Sequence, residues 1–533
     1  MTAIGDLDTL CIGQPRLTAG LDRWRRIDLA AYRTVFGRSP RLSAEQLISM
    51  AGQVNLRGRG GAAFPVARKL TAVLEACRTR KRAPIVVVNA AEGEPGSAKD
   101  KMLLLRSPYL VLSGVMVVAH ALRARLIVIG VSDAQAARSV SEAAAADPDL
   151  ARMVRVMEVP DRFVAGEASA LVNALNGKTP LPSGKAGHAS YSGVGQRPTM
   201  LSNAETFAQL AVLTMVGPQA YASAGTEGEP GTLLLTVGGA VARPAIVEVP
   251  SGVPLGRVLG LCGAAEPAEG VLVGGYHGSW LPGPDAYDVP VSQAGLDAAG
   301  GTLGAGVVLA LDARCCPLSE VARVAAYLAK ESSGQCGPCK LGLPGVARAL
   351  AELAGGSGGV EALDAARRGA AAVRGRGACQ HPSGTSRFVL SALDVFADDL
   401  AAHAFRGGCG RPAGQALPVP TAAGESRLAL DWTRCRGHGL CAHIVPELVQ
   451  VDRQGFPVML DMPVPPWLTR QAGQAVAMCP SLALRLVPAA QAQGRQGVFA
   501  RTLSLGRDPV ADTAPDLTVS EQWIADIAGE PGG

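Results

Sequence analysis

The sequence is poor in aromatic residues and has no dense block of charge of one sign. Phe, Trp and Tyr make up 4% of its 533 residues, and the net charge of +5 is spread along the chain. Without a Lys/Arg-rich block there is no electrostatic footprint for nucleic acid, which excludes that class of ligand. The most apolar stretch, 110–122, is too short to span a bilayer. No basic segment followed by an apolar run opens the chain, so no signal peptide is expected. We therefore predict a cytoplasmic protein without a transmembrane segment.

Cysteine, in contrast, is plentiful. In an intracellular chain the twelve cysteines are expected to stay reduced, so clustered ones indicate metal or cluster ligands rather than disulfides. Six fall into two groups with ligand-like spacing. Most of the other six are expected to be inert core thiols: Cys11, Cys77, Cys262, Cys315, Cys316 and Cys409.

The order of apolar runs predicts several domains, as the length also suggests. Short β-branched runs alternate with longer helical stretches between 51 and 230, which predicts an α/β domain with a mostly parallel, helix-covered sheet. The remaining segments are predicted as a helical lead-in (1–50), a small mixed β domain (231–316), a helical region (317–405), a linker (406–426), a second cysteine-bearing α+β domain (427–488) and a tail (489–533).

Two polar motifs of the α/β domain indicate a ligand site. The glycine-rich loop Gly58-x-Gly60-x-x-Ala63 allows close backbone approach to a phosphate or a ring, but a lone glycine cluster is a weak signal. The segment 89–96 strengthens it, because it follows a predicted parallel strand, and ligands bind at such strand ends. Asn89 and Glu92 lie there and can form hydrogen bonds with an amide-rich ring.

The helical region contains the first cysteine group. Cys336-x-x-Cys339 places two thiolates within reach of one cluster, and Cys379 can supply a third. Zinc is the competing metal, although three cysteines without an adjacent histidine leave its tetrahedral shell open. A redox-active pair is the other alternative, but the surrounding pattern is helical rather than thioredoxin-like.

The second group is Cys435-x-x-His438-x-x-Cys441, followed by Cys479-Pro480. Bacterial ferredoxins use a Cys-x-x-Cys-x-x-Cys run with a distant Cys-Pro, so this spacing favours an iron–sulfur cluster over a structural metal. His438 stands at the middle position.

Together these segments resemble the F subunit of NADH:quinone oxidoreductase, which is the NADH- and FMN-binding subunit of complex I, over roughly residues 50–405. The resemblance implies a Rossmann-like FMN domain, a β-grasp (SLBB) domain and a helical bundle that holds one [4Fe–4S] cluster. Residues 427–488 resemble the small single-cluster bacterial ferredoxins that often serve cytochromes P450. In those proteins a non-cysteine at the middle position commonly goes with a [3Fe–4S] cluster.

The resemblance also implies roles for individual residues. Glu94, Phe64 and Lys69 fall on catalytic positions, the first two on the nicotinamide side. Lys185 matches a basic residue near the dinucleotide, and His188 stands where an aromatic stacks on adenine. The implied cofactor-binding residues are Gly58, Arg59, Gly60, Lys69, Asn89, Glu92, Gly166, Glu167, Ser202, Asn203, Thr206, Lys185 and His188. The implied cluster ligands are Ser333, Cys336, Cys339 and Cys379 in the bundle, and Cys435, His438, Cys441 and Cys479 in the C-terminal domain.

Several positions depart from the family pattern. Ala91, Ala168 and Ser202 replace polar family residues and His188 replaces the aromatic, which is expected to weaken contacts to flavin and NADH. Ser333 replaces a cluster cysteine. It leaves open a Ser-ligated [4Fe–4S] cluster, a three-cysteine [3Fe–4S] cluster, or a labile or absent cluster. Alternatively, Ser333 is only a helix N-cap.

The predicted function is electron transfer from NADH through FMN and the two clusters, [4Fe–4S] or [3Fe–4S] in each case, to an external redox protein. A monooxygenase or another ferredoxin-dependent enzyme is the expected kind of acceptor, and a [2Fe–2S] protein is a further expected partner. Two alternatives stay open. In one, another redox protein rather than NADH feeds the FMN; in the other, the chain is a scaffold with vestigial clusters.

Overall fold

A computed structural model describes residues 7–184, 187–264, 268–420, 426–452, 454–459, 464 and 468–488. The chain divides into two compact units, Met1–Val419 and Pro420–Gly533, and each has a hydrophobic core of its own. The tail predicted at 489–533 lies outside the described residues.

The first unit contains most of the secondary structure. Its strands are β1 (Asp8–Cys11), β2 (Ile85–Ala90), β3 (Leu126–Val131), β4 (Val154–Glu158), β5 (Thr199–Asn203), β6 (Thr232–Gly239), β7 (Ala245–Pro250), β8 (Gly270–Val273), β9 (Ser279–Pro282) and β10 (Val307–Leu311). Its helices are α1 (Leu29–Phe36), α2 (Ala44–Gln53), α3 (Val66–Arg80), α4 (Lys99–Arg106), α5 (Pro108–Leu122), α6 (Ala134–Ala145), α7 (Pro148–Met153), α8 (Ala168–Leu175), α9 (Ala204–Tyr221), α10 (Leu255–Leu261), α11 (Gly283–Ala286), α12 (Gln293–Ala298), α13 (Pro317–Lys330), α14 (Leu343–Ala354), α15 (Gly359–Val373), α16 (His381–Val395) and α17 (Ala397–Arg406).

A four-stranded parallel sheet in the order β4-β3-β2-β5 forms the centre of the α/β part. The β-branched run of β2 is buried on both faces, as a parallel sheet covered by helices requires. The covering helices α5 and α9 pack so closely that only glycine fits at position 114. A Cβ atom there would lie 1.8 Å from the carbonyl oxygen of Phe207. The chain leaves β2 towards β3 and β4 and returns to the other side of β2 as β5. The strand order therefore reverses between β2 and β5.

A six-stranded mixed sheet in the order β1-β7-β6-β10-β8-β9 fills the region that was predicted as a small β domain. Its edge strand β1 comes from the N-terminus and pairs with β7 in parallel. The helical lead-in predicted at 1–50 does contain α1 and most of α2, but it was wrong to omit this strand. Four residues at a sheet edge carry too little periodicity to be recognised.

Helices α13 to α17 form the predicted helical region, around a core that includes Phe388 and Leu350. The segment after α17 differs from the free linker that composition predicted for 406–426. The amide of Cys316 donates to the carbonyl of Pro412 (2.9 Å), and Leu417 is buried in the bundle core. The first part of the predicted linker is thus bound to the bundle.

The second unit contains β11 (Ser426–Leu430), α18 (Leu440–Ile444), β12 (Val449–Val451), β13 (Pro457–Met459), α19 (Thr469–Ala477) and β14 (Leu484–Pro488). β11 pairs with β14 and β12 with β13, both antiparallel. Val445, Ala472 and Leu484 lie in its small core.

None of the helices in the described part of the chain is by itself long and apolar enough to cross a membrane. The consecutive helices α4 and α5 reach that length and composition only together, across a bend of 97°.

Candidate functional site

The reversal of strand order brings two predicted site residues together. Asn89 of β2 and Asn203 of β5 are register partners at the carboxyl ends of their strands. In open α/β sheets, ligands bind in the crevice at this switch point. The Asn89 side chain donates to the carbonyl of Gly166 (2.8 Å) and accepts from the amide of Ala91 (3.2 Å). A Cβ atom at position 166 would lie 2.6 Å from the Ala91 carbonyl oxygen, so the close approach of these two loops requires glycine.

The glycine-rich loop lies against the same crevice. The amide of Arg59 donates to the hydroxyl of Thr206 (2.9 Å), and the Cα of Gly60 faces Asn203, whose Cβ would lie 3.5 Å from an added side chain. Lys69, on α3, donates to the carbonyl of Leu201 (2.9 Å), and burial lowers its pKa. Within the described chain, Nε of Arg59 is buried without a hydrogen-bond partner. The guanidinium also forms a side-chain hydrogen bond with Tyr221. A cationic side chain with a donor left beside a glycine cradle fits an anionic, amide-rich cofactor such as FMN.

A network of buried charged side chains lies next to this crevice, and it was not predicted from the sequence. Lys99 Nζ lies 2.9 Å from Glu205 Oε2 and 3.0 Å from Asp100 Oδ1, and Asp100 accepts from Asn203 Nδ2 (3.0 Å). Burial alone would lower the pKa of Lys99, but the neighbouring carboxylates outweigh it and raise the pKa. The charged triplet at positions 99–101 resembles an exposed helix start. Its position shortly after the segment 89–96 was the one feature of the sequence that could have indicated a role at the crevice.

Two predicted flavin-contacting carboxylates already have helix amides as partners. Glu92 accepts from the first-turn amides of Asp100 (3.2 Å) and Lys101 (2.9 Å) in α4. Glu167 accepts from the amides of Ser169 and Ala170 (both 2.9 Å) and is the N-cap of α8. Their contact with flavin stays a prediction, but their position at the crevice wall has a structural cause.

The predicted catalytic residues occupy different surroundings. Glu94 accepts from the amide of Tyr276 (2.8 Å), and desolvation raises its pKa from about 4.5 to about 7. Phe64 is 45% exposed, with the Arg68 guanidinium 5.8 Å from its ring centroid. A cleft of about 410 Å³ runs from the glycine-rich loop to the second sheet, between Arg59 and Gly304.

The remaining predicted residues of this site divide into three cases. Ser202 is buried within β5. His188 is exposed in a turn, where its carbonyl accepts from the amide of Tyr191 (2.9 Å). Lys185 lies outside the described residues.

The bundle brings all four predicted cluster ligands together. The sulfur atoms of Cys336 and Cys339 are 3.7 Å apart, Ser333 forms a side-chain hydrogen bond with Cys339, and Cys379 is close enough to influence the ionisation of Cys339. Cys339 lies in a π-helical turn, Pro338–Gly342, a distortion often found at functional sites. The cap of this turn is Gly337 and not Ser333, so the N-cap alternative for Ser333 is wrong.

The thiols of this group differ in acidity. Desolvation opposes ionisation of Cys336, but hydrogen bonds from the backbone at Ala378 and Cys339 outweigh it and lower its pKa. Desolvation, followed by the neighbouring Cys336, raises the pKa of Cys339 to about 12. A cluster with strong positive charge on iron would hold both as thiolates, so this donor set fits an iron–sulfur site.

The cysteine site adjoins the wall of the crevice. Arg162 Nε lies 2.7 Å from Glu331 Oε2, the same oxygen accepts from the amide of Phe163 (3.0 Å), and both ionic side chains are nearly buried. The charge of Glu167 contributes, after desolvation, to a raised pKa of Cys379, which places that cap close to the cysteines. Loop 162–167 therefore separates the two predicted redox sites.

In the second unit, Cys435, Cys441, Cys479 and His438 line one open pocket. The amide of Ala483 donates to the sulfur of Cys479 (3.3 Å), an interaction typical of cluster-ligating sulfur. Nδ1 of His438 lies 3.4 Å from the Ser481 hydroxyl. The predicted ligands thus converge, with His438 among them.

Three family models match consecutive parts of the chain. Residues 51–212 match the Nuo51 FMN-binding domain, and residues 319–403 match the NADH-ubiquinone oxidoreductase-F iron–sulfur binding region. Residues 428–486 match the 4Fe–4S single cluster domain. These matches confirm the predictions of FMN and of iron–sulfur clusters in both cysteine-bearing parts.

The chain is also similar to individual proteins of known name. The F subunit of NADH-quinone oxidoreductase from Mycobacterium tuberculosis is 29% identical over 390 residues, which is 68% of this chain and 86% of that protein. The NADP-reducing hydrogenase subunit HndC of Solidesulfovibrio fructosivorans is 25% identical over 427 residues, 76% of this chain and 84% of that protein. A crystal structure of NAD+-reducing [NiFe]-hydrogenase is similar at 26% identity with a TM-score of 0.66, and the match covers 76% of this chain and 68% of that one. The chain is thus a relative of the NADH-quinone oxidoreductase F subunits that carries a 4Fe–4S single cluster domain after the segments that it shares with them.

Proposed function

We propose that this protein oxidises NADH at FMN and passes single electrons through the bundle cluster and the C-terminal cluster to an external redox protein. The observation that carries the proposal is the shared wall between the two sites of the first unit. Glu331 binds Arg162 and the amide of Phe163, and Glu167 lies close to Cys379. FMN supplies the chemistry for this arrangement, because it accepts a two-electron hydride and returns electrons singly.

The residues of the crevice have distinct tasks in this proposal. Asn89, Asn203 and the backbone of the glycine-rich loop hold and orient the flavin at the switch point. Arg59 provides its Nε, a buried guanidinium donor without a partner in the described chain, for the flavin phosphate. Glu94, with a pKa of about 7, holds or releases a proton near neutral pH at the edge of the crevice. Lys69 joins α3, the helix that follows the glycine-rich loop, to β5 by its bond to the Leu201 carbonyl.

The second unit is proposed to be the exit for electrons. Its covalent attachment keeps the last carrier at a high effective concentration, so no diffusional encounter is needed before the external acceptor. The antiparallel pair of β11 and β14 with α18 and α19 supports a ferredoxin-like fold, and the mixed sheet of the first unit supports a β-grasp (SLBB) domain. The proposed acceptor is a monooxygenase or another ferredoxin-dependent enzyme, in the cytoplasm.

The experiment uses the full chain, purified without oxygen and assayed for FMN, iron and sulfide. Addition of NADH should bleach flavin and cluster absorbance, and the protein should reduce both ferricyanide and a one-electron protein acceptor such as cytochrome c. Cys441→Ser should keep the NADH:ferricyanide activity, because the first unit is intact, and should lose most of the cytochrome c reduction.

Two outcomes would contradict the proposal. Flavin that stays oxidised with NADH but is bleached by dithionite would favour electron supply from another redox protein. A protein that cannot be loaded with FMN or iron would favour the scaffold alternative.

A further inference from the structure

Three metal-ligating side chains meet at a place that the predicted cofactors do not use. Cys316 lies directly before α13, His403 is in the last turn of α17, and Cys409 follows that helix. Their ligand atoms all lie within 4.8 Å of one another, and the sulfur of Cys316 is 3.3 Å from Nε2 of His403. Both Cys316 and His403 are buried, while Cys409 is partly exposed. Cys316 and Cys409 showed no ligand-like spacing in the sequence, and the structure places both of them next to a histidine.

The imidazole of His403 is oriented as a ligand. Its Nδ1 lies 3.1 Å from the carbonyl oxygen of Leu353, and a carbonyl can only accept, so Nδ1 carries the hydrogen. In the neutral ring, Nε2 then offers its lone pair to the space shared with the two sulfur atoms. A histidine fixed by a backbone carbonyl on its far nitrogen is the usual arrangement behind a metal–imidazole bond.

The spacing of the donors suits a small tetrahedral ion. Zinc binds sulfur at about 2.3 Å and imidazole nitrogen at about 2.0 Å, so two ligands of one ion stand about 3.5 Å apart. The measured 3.3 Å between Cys316 and His403 is close to that separation. Two thiolates and one imidazole are the ligand types that zinc prefers.

The charged groups next to the site permit a cation. The Arg411 guanidinium forms a side-chain hydrogen bond with Cys409 and is also paired with Asp399 and with Glu269, 3.5 Å away. The two carboxylates more than offset the positive charge of the guanidinium, so this group does not repel a cation at the site. The partial exposure of Cys409 leaves a path for a water molecule to a fourth position.

We propose that Cys316, His403 and Cys409 bind one Zn²⁺ ion, with water as fourth ligand, and that the ion fixes the segment 409–417 to the bundle. The hydrogen bonds of this segment support the role: Cys316 donates its amide to Pro412, and Arg411 donates to the carbonyl of Ala313 (2.9 Å). The ion joins the start of α13 to the end of α17 and the residues that follow it, and so closes the loop that leaves the bundle. It takes no part in the redox reaction and does not depend on the proposed function.

The test is elemental analysis of the full-length protein, purified under reducing conditions. About one zinc per chain is expected beside the iron of the clusters. Cys409→Ser and His403→Gln should each lower zinc at least about tenfold and leave FMN, iron and sulfide unchanged. The matched control is Cys77→Ser, a partly buried thiol on α3 that belongs to no cluster and should keep the zinc.

Two further measurements test whether the ion sits at these three residues. Cys441→Ser should also keep the zinc; loss of zinc in this variant would assign the ion to the iron–sulfur site and overturn the proposal. Replacement of zinc by Co²⁺ in the wild-type protein should give thiolate-to-cobalt absorbance in a difference spectrum, which needs no variant to fold. Wild-type protein that retains no zinc after incubation and dialysis, or a Cys316–Cys409 disulfide found by mass spectrometry in the native protein, would also overturn it.

Discussion

Asn89 and Asn203 are cross-strand partners at the carboxyl ends of β2 and β5, and they meet only because the strand order reverses between these strands. The side chains of these two residues form different hydrogen bonds. Asn89 connects its strand end to the loop at Gly166, whereas Asn203 caps α9 through Thr206 and donates to Asp100. The crevice proposed for flavin is thus bordered on one side by a helix terminus that depends on Asn203.

The first prediction separates the cap from the ligand contact of Asn203. Asn203→Ala removes the acceptor for the Thr206 amide and the donor to Asp100, so the free energy of unfolding should fall by roughly 1–3 kcal/mol. Asn203→Ser keeps a capping hydroxyl and should recover about 1 kcal/mol of that loss. Neither variant should hold flavin as tightly as the wild-type protein. Denaturant unfolding of the flavin-free protein and flavin content after dialysis measure the two effects. Wild-type flavin retention in both variants would contradict a ligand role for Asn203.

The second prediction concerns the proton on Glu94. Its pKa is raised to about 7 in the folded protein, mainly by desolvation, from an ordinary value near 4.5. Between these two values the folded state holds the proton more tightly than the unfolded chain, so the free energy of unfolding falls as pH rises through this window. Glu94→Gln keeps an acceptor for the Tyr276 amide but removes the ionisation. Between about pH 4.5 and about pH 7, thermal unfolding should therefore depend less on pH in the variant than in the wild type. Equal pH dependence in both proteins would show that Glu94 does not titrate there.

How well the sequence predicts the structure depends on how far apart in the chain the interacting residues are. Local patterns predicted β2, β3 and α5 well, because a β-branched run or a long apolar helix between turns leaves one interpretation. The resemblance named residues that the structure brings close together, such as Asn89 with Asn203 and Cys336 with Cys339, and their roles stay predictions. It did not predict the partners that they use, such as the α4 amides bound by Glu92. Those partners come from tertiary packing.

Contacts between distant segments were missed for the same reason. Lys99 and Glu205 form a buried ion pair although they are far apart in the chain. Cys316, His403 and Cys409 have no motif spacing, since they come from different segments. Such contacts are not predicted from a single sequence, because the residues that form them share neither a periodic pattern nor a motif spacing.

The third prediction tests the ion pair that holds the crevice loop to the bundle. Arg162 and Glu331 are both largely buried, and Glu331→Ala removes the carboxylate from this pair. Loss of one partner of a buried pair costs roughly 3–5 kcal/mol. The exposed pair Asp149–Arg152 is the matched control, and Asp149→Ala should cost about 1 kcal/mol or less. Denaturant unfolding followed by tryptophan fluorescence compares them, and equal losses would show that the buried pair does not stabilise this contact.

The last prediction concerns Ser333, which lies with the bundle cysteines and forms a hydrogen bond with Cys339. A thiolate is a soft ligand that is largely ionised once it binds iron, whereas a serine hydroxyl must lose a much less acidic proton. The site with Ser333 therefore offers three strong ligands. Ser333→Cys restores a fourth and should raise iron and sulfide per chain, or convert the EPR signal of an oxidised three-iron cluster to that of a reduced four-iron cluster.

Two further variants serve as controls for the prediction about Ser333. Ser333→Ala removes the hydroxyl without adding a thiol, so it should lower or leave unchanged the iron content, and Cys336→Ala should lower it further because a strong ligand is lost. The cluster of the second unit contributes a constant background of iron, which Cys441→Ser subtracts when it is combined with each variant. Equal iron and sulfide in the wild type, Ser333→Cys and Cys336→Ala would mean that the bundle holds no cluster, and electrons would then have no carrier next to loop 162–167. A rise in Ser333→Cys alone, with Ser333→Ala at the wild-type level, would show that cluster stability is limited by the missing thiolate and not by the shape of the site.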